Sequence, residues 1–129
     1  MKLPRVVGLV LCRSMTFDPE AGGHTLTGVF NTLVCPSWPS PPQQFMAFAG
    51  LQGGRGEGTI ELVIQRMATE QRVYRFRRWY TLPDPQLVSS LELPIRRCVF
   101  PAPGRYGVSL RFEGSELTSR TLDVRSPMR

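Results

Sequence analysis

Apolar residues recur at every second position through much of this chain, the two-residue period of a strand with one covered face. The clearest case is "RYGVSLRFEGSELTSRTLDV" near the end. Tyr106, Val108, Leu110 and Phe112 alternate there with Gly107, Ser109, Arg111 and Glu113. Glu113-Gly114 suits a two-residue hairpin turn. Beyond it Leu117 falls on the opposite face of an ideal strand from Leu122 and Val124, so a bulge is expected between them. The same period places Ile60, Leu62 and Ile64 on one face of a strand over Thr59–Arg66. From Ser89 onward it turns Leu91, Leu93 and Ile95 inward and Glu92 outward. Pro94 interrupts that strand and cannot donate to a ladder, which predicts a sheet edge or a bulge.

The first half is less regular. Leu3–Cys12 is a continuous apolar run, read as a strand covered on both faces. "FDPEAGGH" carries turn chemistry, and His24–Cys35 is a second strand with Leu26, Gly28, Phe30 and Val34 on one face. The two would pair as a hairpin, with Cys12 near Gly28 and Cys35 near the chain start. Four prolines between Pro36 and Pro42 then surround Trp38. Strands follow over Gln44–Leu51 and Arg72–Tyr80, with glycine-rich or polar turns at Gln52–Gly58 and Ala68–Gln71. Helical periodicity is nearly absent. The pattern predicts an all-β, single-domain antiparallel sandwich of about seven or eight strands, immunoglobulin-like or jelly-roll in type. The domain is expected over residues 1–126, with a short tail at 127–129.

At 129 residues the chain can bury roughly two thirds of its unfolded surface and needs no staple. Its three cysteines, Cys12, Cys35 and Cys98, are odd in number and widely spaced, which argues against a disulfide framework and for a reducing compartment. The opening "MKLPRVVGLVLCRS" has the outline of a lipoprotein signal, but the apolar run is short and Leu11 is bulky before the cysteine. It is read as a buried strand, no segment is long enough to span a membrane, and the cytoplasm is the expected location. The formal charge is +6, and Lys2 is the sole lysine. An arginine-rich surface favours acidic partners, because guanidinium groups bind carboxylates and phosphates bidentately.

Catalytic chemistry finds little support. His24 is the only histidine and sits beside Gly22-Gly23, where an exposed turn residue is expected. No serine or cysteine occupies a nucleophile elbow. Cys12, Cys35, Cys98 and His24 lack metal-ligand spacing, and buried apolar thiols are the simpler reading. "GGRGEG" precedes a strand, whereas a phosphate loop opens a helix. No metal, no cofactor and no enzymatic activity are expected.

Two features remain. "RVYRFRRWY" interleaves Arg72, Arg75, Arg77 and Arg78 with Tyr74, Phe76, Trp79 and Tyr80. Arg72, Tyr74, Phe76, Arg78 and Tyr80 share one strand face; Val73, Arg75, Arg77 and Trp79 share the other. A charge-protected sheet edge accounts for this pattern. So does a binding surface made of Arg72, Arg75, Arg77, Arg78, Trp79 and Tyr80, since arginine and large aromatics dominate interface hot spots. Trp38 is the second feature, either a lid over one end of the sandwich or a further ligand-facing aromatic.

The chain also resembles a family of small bacterial all-β proteins of unknown function. The resemblance rests on Gly28-Val29-Phe30, on Pro36-Ser37-Trp38-Pro39, and on Phe100-Pro101-Ala102-Pro103-Gly104-Arg105-Tyr106. It implies a compact sandwich and no particular activity. The arginine-rich strand is outside the shared pattern. The expected function is a non-enzymatic adaptor that binds another protein, with an acidic surface, through a sheet edge or face. Nucleic-acid binding by the Arg/aromatic strand and small-ligand or carbohydrate binding by Trp38 and Trp79 are the alternatives.

Overall fold

The computed structural model describes residues 2–128, so Met1 and the end of the expected tail, Arg129, lie outside it. Among the described residues nine strands form two sheets: β1 (Arg5–Asp18), β2 (Gly23–Phe30), β3 (Thr32–Val34), β4 (Gln43–Gln52), β5 (Glu57–Arg66), β6 (Arg72–Thr81), β7 (Ser89–Cys98), β8 (Gly104–Phe112) and β9 (Ser115–Arg125). One sheet runs β2-β1-β4-β7 and the other β3-β9-β8-β5-β6. Between them lie the inward residues of each strand, among them Leu9, Leu11, Phe45, Ile60, Leu62, Leu91, Leu93, Val108, Leu110 and Phe112. Tyr106 Oη donates to Ala102 O at 2.6 Å, the tyrosine corner of immunoglobulin-like sandwiches.

The late strands follow the sequence pattern. β8 and β9 join through Glu113 and Gly114, both at positive φ, as the primed hairpin turn requires. Leu110 faces Thr118 and Arg111 faces Glu116, so the extra residue is Leu117; the bulge turns it partly onto the core. β7 is an edge strand, as Pro94 predicts. It carries a bulge of its own, where Arg97 adopts a φ of 57° and both Ile95 and Cys98 are buried.

The early strands depart from expectation, and one residue explains most of it. The second strand breaks at Asn31: β2 pairs with β1, whereas β3 crosses to the other sheet and runs parallel to β9. The count therefore rises to nine. Leu33, not Val34, faces the core, and Val34 is exposed. The crossover also carries Cys35 to Arg125, whose carbonyl accepts its N–H, and toward Arg13, instead of to the chain start. Cys12 faces Val29, one residue from the expected Gly28. β1 is not covered on both faces, since Val7 is exposed.

β1 also continues past Cys12 to Asp18 and forms, with β2, an arm that runs on beyond its pairing with β4. The arm folds back. Val10 pairs with Phe48, and Phe17 pairs with His24. Along a straight strand Val10 and Phe17 would be about 23 Å apart. Yet the His24 ring lies 5.1 Å from that of Phe48 and hydrogen-bonds Glu92 at 2.6 Å. The bend falls at Arg13 and Gly28. Gly28 has a φ of 68°, and a Cβ there would meet Arg13 Cγ at 2.8 Å, so both conformation and space call for glycine. His24 is thus a half-buried packing residue and not a free turn histidine.

Candidate interaction surface

β6 is the outer strand of the five-stranded sheet, which agrees with the mixed character of its sequence. Its register with β5 sets Tyr74, Phe76 and Tyr80 on the core side, opposite Ile64, Leu62 and Gly58. These aromatics are half-buried against the core. Arg75, Arg77 and Trp79 point outward, opposite Val63, Glu61 and Thr59. Trp79 is 60% exposed. Arg75 Nε donates to Glu61 Oε2, which leaves Arg77 and Trp79 free on that face. Arg78 shares the core side by register but is exposed, as its place on an edge strand allows. Arg72 is exposed at the start of the strand, next to a bulge at Val73.

Two phenols tie this edge to the other sheet. Tyr74 Oη accepts the Arg96 N–H at 3.4 Å, and Tyr80 Oη donates to Ser89 Oγ at 3.3 Å. They bring β7 alongside β6, and with it Arg96 and Arg97, both exposed at the β7 bulge. The basic side of the molecule therefore comprises Arg72, Arg75, Arg77, Arg78, Arg96 and Arg97. Among the described residues, only Arg75 of these six is ion-paired. The adjacent arginines after Pro94 were the sequence signal for the β7 contribution.

Two of the expected surface residues lie elsewhere. Tyr80 is half-buried and serves the closure between the sheets. Trp38 sits in the link between β3 and β4, by the end of β9, on the opposite edge of the five-stranded sheet from β6. It packs against the core, and its Nε1 donates to Ser126 Oγ at 2.9 Å. Ser40 secures the same link: its N–H donates to Phe100 O, and its Oγ accepts the Phe100 N–H, each at 2.8 Å. Trp38 and Trp79 are therefore not parts of one aromatic platform.

The candidate catalytic groups are dispersed. His24 contacts Phe17, Phe48 and Glu92. The three thiols are free and buried. Burial raises each above its ordinary 9.0, and the nearby Cys35 adds to the effect at Cys98, which is pushed up to about 12. Such thiols are poor nucleophiles at neutral pH. No group of three His, Cys, Asp or Glu side chains that could hold a metal occurs among the described residues. No described helix is long and apolar enough to cross a membrane.

No curated protein matches the chain. An immunoglobulin-like protein of known structure from Pseudomonas aeruginosa is 13% identical, with a TM-score of 0.48 over 95% of this chain and 96% of that one. The model of a family of unknown function, DUF6941, matches residues 8–125, and the chain belongs to that family.

Proposed function

We propose that this protein is a non-catalytic interaction module of the cytoplasm, which docks an acidic surface of another protein on its β6 edge and outer face and uses no cofactor. One observation carries the reading: Arg77, Arg78 and Trp79 are exposed on β6, the Tyr74 contact brings the exposed Arg96 and Arg97 of the second sheet to the same edge, and none of these arginines is ion-paired among the described residues. The unpaired Arg77 and Arg78 beside the exposed Trp79 indole have the composition of an interface centre. The +6 charge steers an acidic partner toward it.

The test begins with crosslinking in the source cells, followed by purification of the captured partner. Binding is then compared between the parent protein and Arg77→Glu with Arg78→Glu, which leaves the Arg75–Glu61 pair intact. The expected loss is tenfold or more, by the size of about 1.4 kcal/mol per decade. Unchanged affinity in a folded variant would remove this surface from consideration. The same Arg/Trp arrangement supports single-stranded nucleic acid as a second reading. A steep fall of affinity with salt toward an oligonucleotide would favour that one.

A further inference from the structure

The four sheet edges that flank the sandwich are not equally protected. β6 carries its arginines and β7 carries Pro94 and a bulge, devices that discourage added strands. On the opposite side, the crossover at Asn31 leaves two stretches without a strand paired to them. β2 pairs with β1 only from Leu11 onward, so Arg5–Val10 has no partner there. β3 pairs with β9 only at Asp123–Arg125, so β9 is open before Asp123.

Between these stretches runs a groove of about 610 Å³, whose apolar lining includes Leu9, Leu11, Val29 and Phe30 and whose charged residue is Arg120. Arg120 Nε donates to Leu9 O at 3.0 Å. A side chain thus occupies a β1 carbonyl that a neighbouring strand would otherwise satisfy. On β9 the direction of the main chain follows from alternation. Asp123 N–H donates outward to Asn31 O, so the N–H and C=O groups of Thr121 and Ser119 point to the same open side. Ser119, Arg120 and Thr121 are all exposed. Neither proline nor lysine blocks this edge.

We propose that the groove between β1 and β9 accepts an extended segment of a second protein, which adds as a strand to β9 at Ser119 and Thr121. Apolar side chains at alternate positions of the segment rest on Val29 and Phe30, since Leu9 and Leu11 are already buried in the core. A carboxylate in the segment meets Arg120; Arg13 is stacked 4.9 Å over the ring of Phe30, which lines the same groove. Main-chain hydrogen bonds supply affinity, and the alternate pockets and the arginine supply selectivity, as in strand addition generally. A second copy of this chain is a poor occupant because each copy carries +6 and the groove itself is basic. The surface is separate from the β6 face and does not depend on it.

The probe is a displayed library of random segments about ten residues long, a little over a typical strand. Enriched segments should alternate apolar residues with others and carry Asp or Glu at a fixed place. Thr121→Pro removes one outward N–H and leaves the β8 ladder intact, so it should fold normally and weaken binding of the enriched segments by about tenfold or more. Arg120→Glu should shift enrichment from acidic to basic segments, which provides an independent readout if Thr121→Pro folds poorly. The Arg77→Glu, Arg78→Glu variant should select the same segments as the parent. Failure to enrich any segment, or enrichment unaffected by Thr121→Pro and Arg120→Glu, overturns the proposal. A dimer of the parent protein that Thr121→Pro dissociates would also overturn it, in favour of a second copy.

Discussion

Single side chains decide how firmly the sandwich ends are closed. Trp38 is half-buried, and its indole is both packed on the core and bonded to Ser126. Trp38→Ala should lower stability by about 2–3 kcal/mol, below the full cost of an entirely buried aromatic because part of the ring is already wet. Chemical denaturation measures this, and an unchanged midpoint would mean that the ring contributes nothing as a plug. The thiol of Cys98 makes a pH prediction. Its folded-state pKa is raised, first by burial and then by Cys35, to about 12 from an ordinary 9.0. The raised value means that the unfolded chain loses this proton first. Its stabilising contribution is therefore whole below pH 9 and falls as pH climbs toward 12. Tyr106 is shifted in the same direction, chiefly by burial. Stability should decline through this alkaline window, and Cys98→Ala should show a shallower decline in the same denaturation series.

At the level of elements, the folded-back arm is the distinctive part. It depends on a bend at Gly28 and a clasp of His24 on Phe48 and Glu92. Cys12 lies beside the bend and belongs by alternation to the outer face of its sheet, yet it is fully buried. The arm is the element that returns over that face. His24→Ala should loosen the arm and raise the rate of Cys12 alkylation by about tenfold, the effect of losing roughly 1.4 kcal/mol of local closure. Cys35 and Cys98, inside the core, serve as internal controls. Equal labelling of Cys12 in both proteins would show that the clasp does not hold the arm down.

Across the whole molecule, the two open sides of the sandwich differ in kind. Two tyrosines draw β6 and β7 together on one side, beneath a rim of arginines. The other side is left open by a strand that changes sheets. Arginines on an edge strand also repel other edges. Replacing Arg72, Arg77 and Arg78 by threonine should leave unfolding free energy within about 0.5 kcal/mol, because the side chains are exposed and not ion-paired among the described residues. It should nevertheless increase self-association, seen by light scattering at equal concentration. A strictly monomeric triple variant would mean that these charges are not needed to keep the edge single.

The sequence by itself determined every element whose pattern is local. Alternation at Ile60–Ile64, Leu91–Ile95 and Tyr106–Phe112 reports which face is covered, and Glu113-Gly114 and Pro94 report a turn and an edge through their own backbone preferences. The arginine-rich strand was legible for the same reason: neither of its faces is apolar enough for a central position. Only the tertiary structure decided what depends on distant residues. Both sides of Asn31 are good strand sequence, so nothing nearby marks the point where the chain leaves β1 for β9. The arm folds back because Phe48 and Glu92 are there to receive His24, and Glu92 stands 68 positions further on. Arg96 and Arg97 join the β6 arginines, and Trp38 parts from Trp79, only once two sheets are stacked. A two-residue period fixes which way a side chain points, and the neighbour it then meets is chosen by how the sheets pack.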